Sequence, residues 1–175
     1  MQTKKTILEE MTKASKRAIA WFDAIPAEQF FTRQGEAWSA SDNVDHLIRA
    51  IRPVRLALKI PRSILQMIFS RATRPSRTYD EICKFYEDRI AEGGRASGIY
   101  LPRQKTPEHP KKEKKKLMER LAKVADDLHS ELKHWQDAEL DQYQLPHPLL
   151  GKLTVREMLF FSIYHTLRHA RPEGD

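Results

Sequence analysis

At 175 residues the chain is most simply one domain spanning residues 1–175, and 40% hydrophobic with 31% charged residues is the balance of a soluble globular protein. No apolar run approaches the roughly 20 residues of a membrane span, and Met1-Gln2-Thr3-Lys4-Lys5 lacks the apolar stretch of a secretory signal. The lone Cys83 excludes an internal disulfide and a cysteine-based zinc site and fits a reducing, cytoplasmic compartment, while the net charge of +7 permits nucleic acid or anionic small molecules as partners.

Glycine is scarce, and Leu, Ala, Lys, Glu and Arg dominate, which favours helices. The first predicted helix runs from about Thr3 to Ala24. Its apolar residues Ile7, Leu8, Met11, Ala14, Ala18, Ile19 and Phe22 recur at three and four, and Pro26 ends it. The second starts near Ser39 or Ser41, either of which can cap it, with Asp42 in the first turn. Val44, Leu47, Ile48, Ile51, Val54 and Leu58 form its stripe. Pro53 should kink it, and Pro61 should break or kink it again before Phe69.

The middle of the chain is irregular. Arg74-Pro75-Ser76 is a break, and Thr78 through Ala91 reads as a short helix. Gly93-Gly94 then opens a long loop carrying Pro102, Pro107 and Pro110. Loops of this length inside a compact domain are often functional, and this one is expected to line or cover a pocket.

The third long helix should span about Pro110 to Asp137, with Leu117, Leu121, Val124, Leu128, Leu132 and Trp135 at helical spacing. It opens on Lys111-Lys112-Glu113-Lys114-Lys115-Lys116, where cations oppose the helix dipole. The run reads as a solvated face; its other reading, a nucleic-acid contact, lacks interleaved exposed aromatics and a recognition motif. A turn-rich stretch, Leu145-Pro146-His147-Pro148-Leu149-Leu150-Gly151, leads to the last helix. Thr154 and Glu157 make a capping box that starts it at Val155, and Pro172 and Gly174 stop it. Four long amphipathic helices and no strand candidate give an all-α, four-helix-bundle fold, with a long irregular connection between its second and third helices.

His165 and His169 stand four apart on the last helix, which puts both imidazoles on one face. On a helical wheel they fall inside the arc of Val155, Met158, Leu159, Phe161, Ser162, Ile163 and Thr166. Arg156, Glu157, Tyr164 and Arg168 fall opposite. Two histidines buried side by side need hydrogen-bond partners or a metal, and both readings stand on spacing alone. A third histidine from a facing helix would leave coordination positions open, as in a catalytic metal site. His46 falls toward the edge of its stripe, beside Asp42, Asn43 and Ala50. His129, His134, His109 and His147 are weaker candidates, and Cys83 reads as a buried structural thiol. No Ser-His-Asp or Cys-His arrangement, phosphate-cradling glycine loop or pair of Glu-x-x-His motifs is present.

Several short motifs, in their order and spacing, resemble the DinB/YfiT-like superfamily of small four-helix-bundle metalloproteins. They are Trp38-Ser39 followed by His46-Leu47; Gly94-Arg95-Ala96-Ser97 with Pro102; His147-Pro148-Leu149-Leu150-Gly151; and His165-x-x-x-His169. The resemblance implies a three-histidine site at His46, His165 and His169 for a divalent transition metal, zinc or nickel. It further implies a metal-dependent thiol S-transferase or a hydrolase, with a small-molecule thiol or electrophile as partner, and a homodimer. Nucleic acid and membrane are not expected partners. The alternatives are a non-catalytic binding or regulatory bundle and a basic nucleic-acid-binding protein.

Overall fold

A computed structural model describes residues 2–103 and 106–171. The helices form where the sequence carries both an apolar period and a cap. Helix α1 (Lys4–Ala24) is capped by Thr3, whose hydroxyl accepts from the Thr6 N–H, and buries Ile7, Met11, Ala14, Ala18 and Phe22 on one stripe. A short helix α2 (Ala27–Phe30) follows Pro26. Helix α3 (Ala40–Leu58) starts at a capping box: Ser39 caps the Asp42 N–H and the Asp42 carboxylate accepts from the Ser39 backbone. It runs through Pro53 without ending. The break falls at Ile60-Pro61, before the separate helix α4 (Arg62–Phe69).

Helix α5 (Tyr79–Ala91) has its own capping box, Thr78 with Glu81. Gly94 then turns back on it: its N–H donates to the Arg89 carbonyl at 2.8 Å, and a Cβ there would lie 2.6 Å from that oxygen. Only glycine allows so close a return. After a 3₁₀ turn (Gly98–Tyr100) comes helix α6 (Pro110–Lys133), which opens on Pro110 and ends before Trp135 rather than at Asp137. Trp135 is fully buried; its indole N–H donates to the Leu58 carbonyl (3.1 Å), and the Arg62 guanidinium covers its face at 3.7 Å.

The expectation of no strands is corrected. After helix α7 (Glu139–Gln142), strands β1 (Gln144–His147) and β2 (Gly151–Thr154) pair antiparallel, with Leu145 opposite Leu153. The prolines and glycine of this stretch signal a turn, but the flanking residues are too few to show a period of two, so the hairpin had no pattern to announce it. Gly151 sits at φ +71° where the second strand begins. β2 feeds straight into helix α8 (Val155–His169) through the Thr154–Glu157 capping box expected from sequence. The proposed stop at Pro172 and Gly174 lies outside the described residues.

Helix α8 packs against α1, α3, α5, α7 and both strands, and α3 packs against α6. The chain is thus mostly helical with one small sheet. A second correction follows: α8 has no solvent face over Val155–Thr166, and Arg156 and Glu157, assigned to the outside by the wheel, are fully buried. Each is satisfied by partners from elsewhere in the chain. Arg156 Nε donates to Asp141 (2.7 Å) and its Nη2 to the Asp137 carbonyl (3.0 Å). Glu157 accepts from Arg74 (2.5 and 2.8 Å), from the Arg77 backbone N–H (2.8 Å) and from the Thr154 N–H (2.8 Å). Burial pushes the Glu157 carboxyl pKa up, but these donors outweigh it and hold it below the ordinary value. Tyr164, also placed outward, is buried and donates to Glu87 at 2.6 Å; Arg168 is exposed, as expected.

Candidate metal centre

His46 lies in the second turn of α3, and His165 and His169 lie in the last turns of α8, which packs beside it. The structure brings the three rings together: one ligating atom from each lies within 4.8 Å of the others. His165 Nε2 is 3.1 Å from His46 Nε2 and 3.1 Å from His169 Nε2. His46 and His165 are buried and His169 is partly so.

Neighbouring groups fix two of the three tautomers. His46 Nδ1 is 2.7 Å from the Tyr100 carbonyl oxygen, which can only accept, so that nitrogen carries the proton. His169 Nδ1 is 2.6 Å from Asn43 Oδ1. The Asn43 amide nitrogen donates to the carbonyls of Ser39 (3.0 Å) and Trp38 (3.4 Å), which turns its oxygen toward His169. In their neutral forms His46 and His169 therefore present bare Nε2 lone pairs to His165. A single proton on His165 Nε2 can serve only one of them. At least one contact is then lone pair against lone pair, an arrangement a cation resolves.

The electrostatics favour neutral rings. Burial is the largest influence on all three and pushes each pKa down. For His46 the Tyr100 carbonyl partly offsets it. His165 falls well below the ordinary histidine value, helped by its histidine neighbours. His169 falls to about 3. Neutral imidazole nitrogens suit zinc, copper, iron and nickel. Nitrogens 3.1 Å apart are compatible with two ligands of one ion at about 2.0–2.1 Å. The donor set thus fits a transition metal.

Aromatic rings wall the cluster. Phe161 stacks on His165 (centroids 4.8 Å, 26°), and Trp38 lies 4.9 Å from His46 and stacks at 6.0 Å on His169. The long loop is pinned over α3 by charge. Asp45 accepts from Arg49 (2.7 Å) and from the Arg103 N–H (2.9 Å), and Arg49 donates to the Ile99 carbonyl (3.1 Å). That anchoring sets the Tyr100 carbonyl against His46. The expectation that this loop lines a pocket holds: Arg95, Ala96, Ser97 and Tyr100 border a cavity of about 220 Å³ that also touches His46 and His165.

The remaining histidines are dispersed, with one exception. His109 and His134 are exposed, and His129 on α6 meets Thr12 of α1 at 3.4 Å. His147 lines the same cavity as His46 and His165 and packs edge-on against Phe161 at 4.3 Å. Sequence reasoning ranked it low, and it also missed Asn43, Trp38 and the Tyr100 carbonyl as supports. Asn43 lies three residues before His46 yet serves a ring on another helix, and a backbone carbonyl leaves no mark in the sequence. Cys83 is partly buried, and burial raises its thiol pKa.

The lysine run is more than a solvated face. Lys114 is buried and donates to the carbonyls of Asp23 (2.7 Å) and Ile25 (2.6 Å), capping the end of α1. Lys111, Lys112, Lys115 and Lys116 are exposed.

No curated protein matches the chain. Among solved structures it is similar to the colibactin self-resistance protein ClbS in complex with a dsDNA, with a TM-score of 0.55 and 14% identity over 97% of this chain and 92% of that one. This likeness is one of fold. It corrects the partner expectation, because a protein of this fold is recorded on duplex DNA and the reading that set nucleic acid aside no longer stands. No helix among the described residues is long and apolar enough to cross a membrane. The sequence model of the DinB superfamily matches residues 10–171, nearly the whole chain and all three histidines, and the chain belongs to that superfamily.

Proposed function

We propose that residues 1–175 form one DinB-type four-helix-bundle domain, built on α1, α3, α6 and α8, that holds a divalent transition metal, zinc or nickel, on His46, His165 and His169. The observation that carries this reading is the pair of 3.1 Å Nε2–Nε2 contacts with both outer tautomers fixed from behind. Outer-sphere partners of this kind orient metal-ligating histidines and raise their basicity.

With three protein ligands the centre suits a metal-dependent transferase or hydrolase acting on an electrophilic group. A bound metal would supply a nucleophile of lowered pKa, near 7 for water. The chain's own residues do the rest. Asn43 and the Tyr100 carbonyl keep the Nε2 atoms free, and Trp38 and Phe161 screen the rings from water. The apolar cavity beside His46 and His165 holds the reacting group. The test is metal analysis after dialysis of wild-type and His165→Ala proteins. About one equivalent retained by wild type and background in the variant is expected; equal, negligible metal in both would overturn the reading.

A second reading, nucleic-acid binding, is favoured by the dsDNA-bound structure of ClbS and by the exposed Lys111, Lys112, Lys115 and Lys116 on one end of α6. It predicts duplex affinity that falls steeply with salt and drops when these four lysines are neutralised. Salt-independent binding, or none, would remove it.

A further inference from the structure

The geometry points to a ligand site in which His147 Nε2–H donates to the carbonyl oxygen of an otherwise apolar compound, an ester, ketone or amide, lying in the cavity beside His46 and His165. His147 ends β1, and the chain turns beneath its ring. Its Nδ1 accepts two backbone donors, the N–H groups of Leu149 (3.2 Å) and Leu150 (3.1 Å). Backbone N–H groups can only donate, so Nδ1 carries no proton and the neutral ring must carry it on Nε2. The turn therefore dictates the tautomer. Among the described residues no hydrogen-bond partner meets that Nε2–H, although the ring lines the cavity. That donor opens onto a mostly apolar cavity with no acceptor from the described residues, and an acceptor carried by a ligand would meet it in place of water.

The rest of the cavity defines what that ligand is. Val54, Ala57, Phe69, Leu145 and Met158 make its surface mostly apolar, and the Arg95 guanidinium at its exposed edge already donates to the Ile90 and Gly94 carbonyls, so a charged or sugar-like body would be desolvated with little compensation. Burial also holds His147 neutral, with its pKa lowered to about 4, so it donates a hydrogen bond without offering a charge. That favours a neutral acceptor over a carboxylate or phosphate. About 220 Å³ suits a small body with a short chain or one ring. The role of this site as a substrate pocket rests on the three-histidine reading above; as a binding site it stands apart from it.

The test compares 2-octanone with 2-methyl-1-octene, the same body with the oxygen replaced by a methylene. Both are titrated by NMR into chelator-treated protein, so that failure of metal binding leaves the result intact. The readout is the ketone-to-alkene affinity ratio, to which one net hydrogen bond in wild type contributes roughly three- to tenfold. His147→Asn keeps a side-chain acceptor for the Leu149 and Leu150 N–H groups, as in an Asx turn, and lacks the distal donor. It should lower the ketone-to-alkene affinity ratio by about the same three- to tenfold, each variant being judged against its own alkene affinity. His147→Gln, whose amide reaches the Nε2 position, should restore part of it. The side-chain ¹⁵N spectrum of wild type should show the proton on Nε2. No ketone binding, a preference unchanged in His147→Asn, or a proton on Nδ1 would each overturn the assignment.

Discussion

Both ends of helix α8 take polar side chains out of water, and they do it in opposite ways. At the start, Arg156 and Glu157 are fully buried, and each is surrounded by groups of complementary sign or polarity. At the end, His165 and His169 meet His46, a third group of their own kind, Nε2 toward Nε2. The first arrangement is complete within the chain and serves the fold. The second leaves at least one pair of nitrogen lone pairs opposed in neutral, metal-free protein. Burial alone therefore does not mark a site; burial of convergent acceptors does.

Removing a member from each end should give effects of different size and sign. Glu157→Ala leaves Arg74 without its carboxylate and the Arg77 and Thr154 N–H groups without acceptors. It should cost about 3–5 kcal/mol in denaturant unfolding, as for a broken buried ion pair. A cost below about 1 kcal/mol would show the network to be incidental. At the other end, Asn43→Ala frees the His169 ring to change tautomer. It should weaken zinc affinity by about 10- to 100-fold while leaving the far-ultraviolet circular dichroism unchanged. Unchanged affinity would detach Asn43 from the centre.

His165→Leu removes the middle imidazole from metal-free protein and replaces opposed lone pairs with an apolar side chain. It should raise stability by about 1 kcal/mol, the gain usual when a functional site is relieved of its strain. A loss of 2 kcal/mol or more would mean that the histidines are satisfied structural residues. A further test concerns pH. His147 and His169 titrate near 4 and 3 in the folded protein, below the ordinary histidine value of 6.5. The unfolded chain therefore binds more protons between about pH 6.5 and 4, and the stability of metal-free protein should fall as pH drops through that window. Above about pH 7 these groups should contribute no slope. Substituting His147 with Gln should reduce the slope, and an unchanged slope would place the proton uptake elsewhere.

Much of this was legible in the residues. The caps read at Ser39 and at Thr154 with Glu157 do start α3 and α8, and Thr3 and Thr78, read only as helix starts, cap α1 and α5, because capping is a contact within four residues and needs nothing from the rest of the chain. The apolar stripes of α1, α3 and α6 became core for the same local reason: a repeat near 3.6 puts those residues on one side of a helix. The four-residue spacing of His165 and His169, likewise, needed only helix geometry to place two rings together.

What tertiary structure decided is of another kind. Whether the charged side of α8 meets water or protein depends on how many elements surround it, and here Asp141, Arg74 and Arg77 arrive from distant segments to make burial tolerable. His46 stood at the edge of its own stripe, and only the approach of α8 and of the Tyr100 carbonyl turned that edge into part of the three-histidine cluster. The tautomers of His46, His169 and His147 are set by a backbone carbonyl, an amide from another helix and two turn N–H groups. Sequence determines periods and caps because they arise between near neighbours; the direction in which a buried nitrogen presents its lone pair depends on groups that only folding brings within 3 Å.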